Sequence, residues 1–239
     1  MSEWKARRFW KAAEVAEAEG GYTVLLDGRS VKTPNKTLLV VPGADMAAEI
    51  AREWDEQEGV INPLSMPFTR SANSALDKVA PQKAEVADML TGYGDSDLLC
   101  YRADAPDELV ARESAAWDPL LDWVAENLGV RLKPRVGVMH APQDEAAMAR
   151  LSALVHEMSH FELTGFHDLV SLSGSLVIGF AAARNERGID ELWNLSRLDE
   201  LWQEEQWGAD DEAAEMAEIK HQAFVHAKRF YDLSRPDEE

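Results

Sequence analysis

The chain opens on a period of two and then changes to a period near four. Tyr22-Thr23-Val24-Leu25-Leu26 and Ser30-Val31-Lys32-Thr33 flank Asp27-Gly28, the dipeptide that supplies two positive φ angles to a tight hairpin. Pro34-Asn35 makes a second turn and residues 37–41 read as a third strand, so a short meander is expected. Pro42-Gly43 ends it. Over residues 44–57, Met46, Ile50 and Trp54 recur every four positions, the mark of an amphipathic helix. Pro63 and Pro67 keep residues 61–68 irregular. Residues 69–90 read as helix with a break at Pro81, and Leu98-Leu99-Cys100-Tyr101 suits a short returning strand, although so brief a run is ambiguous.

Beyond Asp107 the pattern is helical almost throughout. Residues 107–128 carry Leu109, Trp117, Leu120, Leu121 and Val124 before Gly129 stops the helix. Further helices are expected at 143–163, 167–185, 189–207 and 210–233, punctuated by Gly165, Gly188 and Gly208. No internal repeat or low-complexity linker interrupts them. The expectation is an α+β protein, with a small β-rich N-terminal domain with interspersed helices (1–106) and a larger all-α C-terminal domain (107–239).

Composition narrows the function classes. The 239 residues hold 24 Lys plus Arg against 44 Asp plus Glu, a formal net charge of −20. Such a chain lacks the positive footprint that nucleic-acid phosphates or anionic membranes require. One cysteine, Cys100, cannot close an intramolecular disulfide, which fits a reducing compartment. The longest apolar run, residues 169–183, is broken by serines and glycines and falls short of a membrane span. Met1-Ser2-Glu3-Trp4-Lys5 lacks a signal-peptide core. A soluble intracellular protein is expected.

Catalytic chemistry finds one candidate. His156-Glu157-Met158-Ser159-His160 fits the H-E-x-x-H pattern, in which two histidines one helical turn apart bind zinc and the glutamate activates water. The positions where an extended motif would place a glycine and a third histidine hold Leu163 and Phe166. At about 100° per residue, the apolar stripe of Leu151, Leu154, Val155 and Met158 leaves His156 and His160 nearly opposite it, facing solvent rather than a dry cleft. A solvated helix face accounts for the pentad better than a zinc hydrolase does. Cys100 sits in an apolar tetrapeptide and reads as a buried small hydrophobe. Ser173-Gly174-Ser175 lacks the spacing of a nucleophile elbow and reads as a close-packing point within a buried helix. No metal, cofactor or catalytic residue is expected.

Surface chemistry is more distinctive. Between Asp199 and Ile219 lie nine acidic side chains (Asp199, Glu200, Glu204, Glu205, Asp210, Asp211, Glu212, Glu215 and Glu218) and no Lys or Arg, with Trp202, Trp207 and Met216 among them. Helix-dipole preference explains Asp210, Asp211 and Glu212 at a helix start, but not Glu204 and Glu205 late in the preceding helix. Acid and tryptophan together suit a surface that recognises a basic or apolar protein partner. A plain solvated face over buried tryptophans explains the composition about equally well. The partner-binding residues expected are Arg197, Glu200, Trp202, Glu204, Glu205, Trp207, Asp210 and Glu212.

Ordered motifs along the chain carry a family resemblance. Arg8-Phe9-Trp10-Lys11, Leu26-Asp27-Gly28-Arg29 with Val31-Lys32-Thr33-Pro34, Glu53-Trp54-Asp55-x-Gln57 and Met66-Pro67-Phe68-Thr69 come first. Asp97-Leu98-Leu99-Cys100-Tyr101-Arg102-Ala103, Trp117-Asp118-Pro119, Ser196-Arg197-Leu198-Asp199-Glu200 and Glu205-Gln206-Trp207-Gly208 follow. In this order they resemble the assembly chaperones of the F-type ATP synthase found in mitochondria and α-proteobacteria. The resemblance implies a non-enzymatic chaperone that binds the unassembled α subunit and shields it until the β subunit arrives. It also implies a β-rich N-terminal and a helical C-terminal domain. No cofactor is expected, and the free protein is expected to be a monomer. With the first motif at Arg8, a bacterial cytoplasmic location is expected, or the mitochondrial matrix in a eukaryote. A zinc hydrolase using His156, Glu157 and His160, or a scaffold for some other protein client, are the alternatives.

Overall fold

The computed structural model describes residues 7–235; Met1 to Lys5, read above for targeting, lie outside them. The architecture is α+β, a small N-terminal sheet followed by a larger helical region. The chain divides into two compact units. One takes the described residues up to Gln82, then Ser159–Gly165 and the chain from Arg229 on; the other takes Lys83–Met158 and Phe166–Lys228. The units are discontinuous in sequence, and the division expected after residue 106 falls inside the second.

In the first unit, β1 (Ala13–Ala18) pairs antiparallel with β2 (Gly21–Leu26) in a register running from Ala13 opposite Leu26 to Ala18 opposite Gly21. The other edge of β2 takes β3 (Arg29–Ser30) and β4 (Val40–Val41). The β2–β3 turn is the expected hairpin, with Asp27 at φ 46° and Gly28 at φ 81°. The Asp27 carboxylate accepts the Lys11 and Ala12 amides at 3.0 and 3.1 Å, and these bonds lower its pKa. Gly21 is required where it stands, since a Cβ there would lie 2.2 Å from the Val41 carbonyl oxygen. The third strand is shorter than expected, joined to its neighbour by the isolated bridge Lys32–Leu38.

Helix α1 (Ala44–Asp55) buries Met46 and Ile50 against this sheet. The helix expected over 69–90 is α2 (Pro67–Ser74), a π-turn over Ala75–Val79 and a 3-10 turn at Ala80–Gln82 before α3 (Lys83–Asp95), so the break falls at Pro81 as expected. Glu53, 2% exposed, accepts the Phe68 and Thr69 amides at 2.6 and 2.8 Å and so caps the start of α2 from α1. Arg8 joins the N-terminal segment to the end of α1 by an ion pair with Asp55 at 3.0 Å and a bond to the Gln57 carbonyl at 2.9 Å.

In the second unit, Leu98–Cys100 is a 3-10 turn and only β5 (Tyr101–Arg102) is strand, pairing parallel with β6 (Arg135–Val136). Helix α4 (Asp107–Leu128) ends at Gly129 in the left-handed region, φ 71°. Three expected helices are redrawn. The 143–163 helix breaks at 157–159 into α5 (Glu145–His156) and α6 (His160–Ser173), and Gly165 sits inside α6. The 167–185 helix breaks at Gly174, φ 70°, before α7 (Leu176–Ala183). The 189–207 helix likewise parts at Arg197 into α8 (Ile189–Ser196) and α9 (Leu198–Trp207). Helix α10 (Asp211–Leu233) follows.

All eight residues of α7 are buried, and it packs against α3, α4 and α8. The close-packing glycine is Gly179, where a Cβ would meet Val170 at 2.6 Å, and not Gly174. Ser173 and Ser175 belong to a helix junction instead. The Ser175 hydroxyl accepts the Ile178 amide at 3.0 Å and donates to Asp97 at 2.7 Å, while Asp97 accepts the Val177 and Leu99 amides at 3.0 and 3.1 Å.

Candidate functional site: an acid-aromatic helix junction

The tract from Arg197 to Glu212 spans α9, the Gly208 turn and the start of α10. Three side chains within it are tied down. Arg197, between α8 and α9, pairs with Glu204 at 3.0 Å. Glu205 takes both prongs of the Arg112 guanidinium at 2.6 and 2.8 Å, which lowers its pKa and raises that of Arg112. The same guanidinium lies 5.8 Å from the centre of the half-buried Trp202 ring. Glu204 and Glu205, acids that the dipole rule left unexplained in sequence, therefore each have an arginine, one of them 93 residues away. Asp199, at the start of α9, acts on Glu113 of α4: burial first and then the Asp199 charge raise the Glu113 pKa.

Leu198 is buried under α9, and the tract from Gln206 on faces outward. Trp207 is 79% exposed at the end of α9, and Gly208 at φ 91° lets the chain turn immediately after it. Asp210 accepts the Ala213 amide at 2.8 Å and caps α10. Glu200, Asp211, Glu212 and Glu215 are exposed. No residue of α10 before His221 is buried and only Ala217 is half-buried, whereas Phe224, Ala227 and Phe230 further along are core. Met216 and Ile219, at 50% and 56% exposed, therefore add apolar surface to that of Trp207. Sequence reasoning missed Ile219 and Arg112. The i, i+3 spacing of Met216 and Ile219 was a signal for the first; nothing local pointed to the second.

The histidine pentad is not a helical metal motif. His156 is the last residue of α5 and His160 the first of α6, so the one-turn spacing that zinc binding needs is broken between them. The expectation of two histidines on one solvent-facing helix was wrong for the same reason. His156 Nε2 pairs with Asp88 at 2.8 Å, and the His160 ring packs on Phe161 with centroids 4.6 Å apart. Ser159 and Glu162 form a capping box instead: the Ser159 amide donates to the Glu162 carboxylate at 2.8 Å and the Glu162 amide to the Ser159 hydroxyl at 3.1 Å. Among the described residues no three His, Cys, Asp or Glu side chains gather to hold a metal ion. Cys100 is buried, and burial pushes its thiol up to about 12. No helix among the described residues is long and apolar enough to cross a membrane.

Known proteins match the chain over nearly its full length. The family profile described as ATP12 chaperone protein matches residues 7–125, a span that includes Arg112 and stops short of the acid-aromatic tract. The crystal structure of Atp12 from Paracoccus denitrificans is 47% identical, with a TM-score of 0.94 over 98% of this chain and 100% of that one. A mutant form of the Atp12p from that bacterium matches at 46% identity and a TM-score of 0.95 over the same shares of the two chains. The mitochondrial protein atp12 of Schizosaccharomyces pombe is 25% identical over 222 residues, 88% of this chain and 76% of the relative. By fold, by sequence and by the order of its motifs, the chain belongs to the ATP12 chaperone family.

Proposed function

We propose that this chaperone binds the unassembled α subunit of the F-type ATP synthase without catalysing a reaction, and that the outward face of the α9–α10 junction is a contact surface. One observation carries the choice of surface: Trp207, Met216 and Ile219 are exposed along a helix start that buries nothing, among Asp210, Asp211, Glu212 and Glu215. A large aromatic with apolar neighbours and a charged surround has the anatomy of an interface centre and rim. A subunit destined for a ring exposes apolar interfaces while alone, and such surfaces drive wrong association. An acidic protein that covers one of them shields it and keeps the complex soluble. Release by competition from the true neighbour at an overlapping surface needs no nucleotide. The working compartment is then the one that holds free α subunit, bacterial cytoplasm or mitochondrial matrix.

Isolated α subunit should co-elute with the full chain and stay in solution, while assembled αβ heads should not be retained. Comparable binding of both would sink the reading. Trp207→Ala is a clean probe because the ring is largely exposed. It should weaken α-subunit binding about tenfold or more, as loss of an interface hot spot does, with an unchanged melting temperature. Glu212→Lys should also weaken binding, whereas the matched reversal at exposed Glu14 on β1 should not. Equal losses from Glu212→Lys and Glu14→Lys would reduce the effect to net charge.

A further inference from the structure

We infer that Glu113 of α4 keeps a proton and donates it to Asp199 of α9, a buried pin whose loss on rising pH loosens α9 and the Trp207 junction at its end. The pin is a property of this chain and stands whether or not the chain binds an α subunit.

Helix α9 has little apolar hold. Leu198 is its one buried residue, and Leu201, Trp202 and Glu204 are half-buried. Its seating on α4 therefore leans on polar contacts. One is the exposed pair of Arg112 with Glu205. The other starts from the next residue of α4. Glu113 is 1% exposed, accepts the Ala103 amide at 2.9 Å, and meets the Asp199 carboxyl in hydrogen-bonding contact. Asp199 Oδ1 is itself buried and, among the described residues, finds no amide, hydroxyl or cation as a partner. Two carboxylates in such contact repel, and a buried oxygen left without a donor is costly. One proton removes both difficulties, because an O–H···O bond then joins the two groups and satisfies Asp199 Oδ1.

Position decides which residue carries the proton. Asp199 lies in the first turn of α9, where the helix dipole favours an anion. Glu113 lies inside α4, and burial is the largest influence on it, raising its pKa from 4.5. The Ala103 amide works against burial, the Asp199 charge and contact raise the pKa further, and the charge of Arg102 on β5 lowers it. Arg102 is committed elsewhere, to Asp118 at 2.8 Å and to the Leu99 carbonyl at 2.9 Å. The sequence neighbours Arg112 and Arg197 hold Glu205 and Glu204. No cation is thus seated on the pair. Since the folded value is raised, the stability that Glu113 contributes is complete below pH 4.5 and is lost as pH rises through that folded value. Above it two anions face each other across the contact, and the salt-screened Arg112–Glu205 pair is left to hold α9.

Glu113→Gln tests the pin in the full chain, because it replaces the proton with an amide hydrogen that cannot leave. Its nitrogen donates to Asp199 while its oxygen still accepts from Ala103. Denaturant midpoints of wild type and variant should agree near about pH 4 and separate as pH rises, the variant becoming the more stable. Taking the difference cancels the titration of groups that both proteins share, Asp97 included. Amide hydrogen exchange locates the effect. Protection factors in α9 should fall in the wild type relative to the variant by up to about tenfold per pH unit, the slope that one proton sets. Those in the buried α7 should keep their ratio. Asp199→Asn also supplies a permanent donor across the contact and should flatten the same profile. A constant gap between wild type and Glu113→Gln would mean that Glu113 holds no titrating proton. A variant that loses ground as pH rises would mean that Glu113 serves as the anion. Either result overturns the pin. Equal changes in α7 and α9 protection would make the proton a matter of global stability and overturn the loosening of α9.

Discussion

At the scale of single residues, most motif positions prove to be struts. Glu53 holds two amides at the head of α2, Asp27 holds two before β1, and Arg102 pairs with Asp118 at 2.8 Å while lying 5.2 Å from the centre of the Trp117 ring. Asp97 is the most demanding of them. It is fully buried, and burial raises its pKa from 3.8 to about 6 even though Ser175, Val177 and Leu99 all donate to it. The folded state therefore holds the Asp97 proton more tightly than the unfolded chain does. This group's contribution to stability is complete below pH 3.8 and is lost as pH rises through about 6. Asp97→Asn carries no such titration. Its amide nitrogen also sets a donor against the Val177 or Leu99 N–H, so the variant should be less stable throughout. The gap between wild type and variant should narrow from about pH 4 to about pH 7, by denaturant midpoints at each pH. A gap that widens with pH would show that Asp97 is stabilised as the anion.

At the scale of elements, chain breaks were harder to read than chain segments. Asp27-Gly28, Gly129 and Gly208 end their elements where the sequence announces them, because each adopts a positive φ. Strand β1 lies in the stretch read as β-structure but was not singled out as a strand, since Ala-Glu-Val-Ala-Glu-Ala favours helix by propensity. Pairing with the apolar β2 and the hold of Asp27 on Lys11 and Ala12 override that local preference. The breaks at 157–159 and Arg197 carry no glycine or proline, so periodicity ran through them. Ser159-x-x-Glu162 was the legible sign of the first and was passed over for the histidines around it. The acid-aromatic composition of the candidate surface was legible too. Its Arg112 partner was not, because only tertiary folding brings α4 beside α9. The capping box gives a direct test: Ser159→Ala should cost about 1 kcal/mol of stability. Glu162→Ala should cost at least as much, since Glu162 also pairs with Arg235 at 3.3 Å. The double variant should lose less than the sum, because the two side chains serve one box. Full additivity in chemical denaturation would separate the two residues and undo the assignment.

At the scale of the whole molecule, one variable should move folding and binding in opposite directions. A net charge of −20 with a sequence pI near 4.6 means that the folded chain repels itself at neutral pH. Its exposed pairs, such as Arg52 with Glu49 and Glu56, do little to offset that, since surface ion pairs contribute about 0–1 kcal/mol each. Salt screens the repulsion within a Debye length of about 8 Å at physiological strength, so the melting temperature should rise as salt is added. Capture of the α subunit should respond the other way. If the exposed acids around Trp207 steer a basic client surface, that attraction weakens with screening. The association rate should fall about tenfold or more between low and high salt, while dissociation, governed by the buried apolar contacts, changes little. Stopped-flow association and thermal melts across one salt series read both quantities on the same protein. An association rate independent of salt would remove electrostatic steering from the α9–α10 junction and leave its apolar groups, Trp207, Met216 and Ile219, as the basis for recognition.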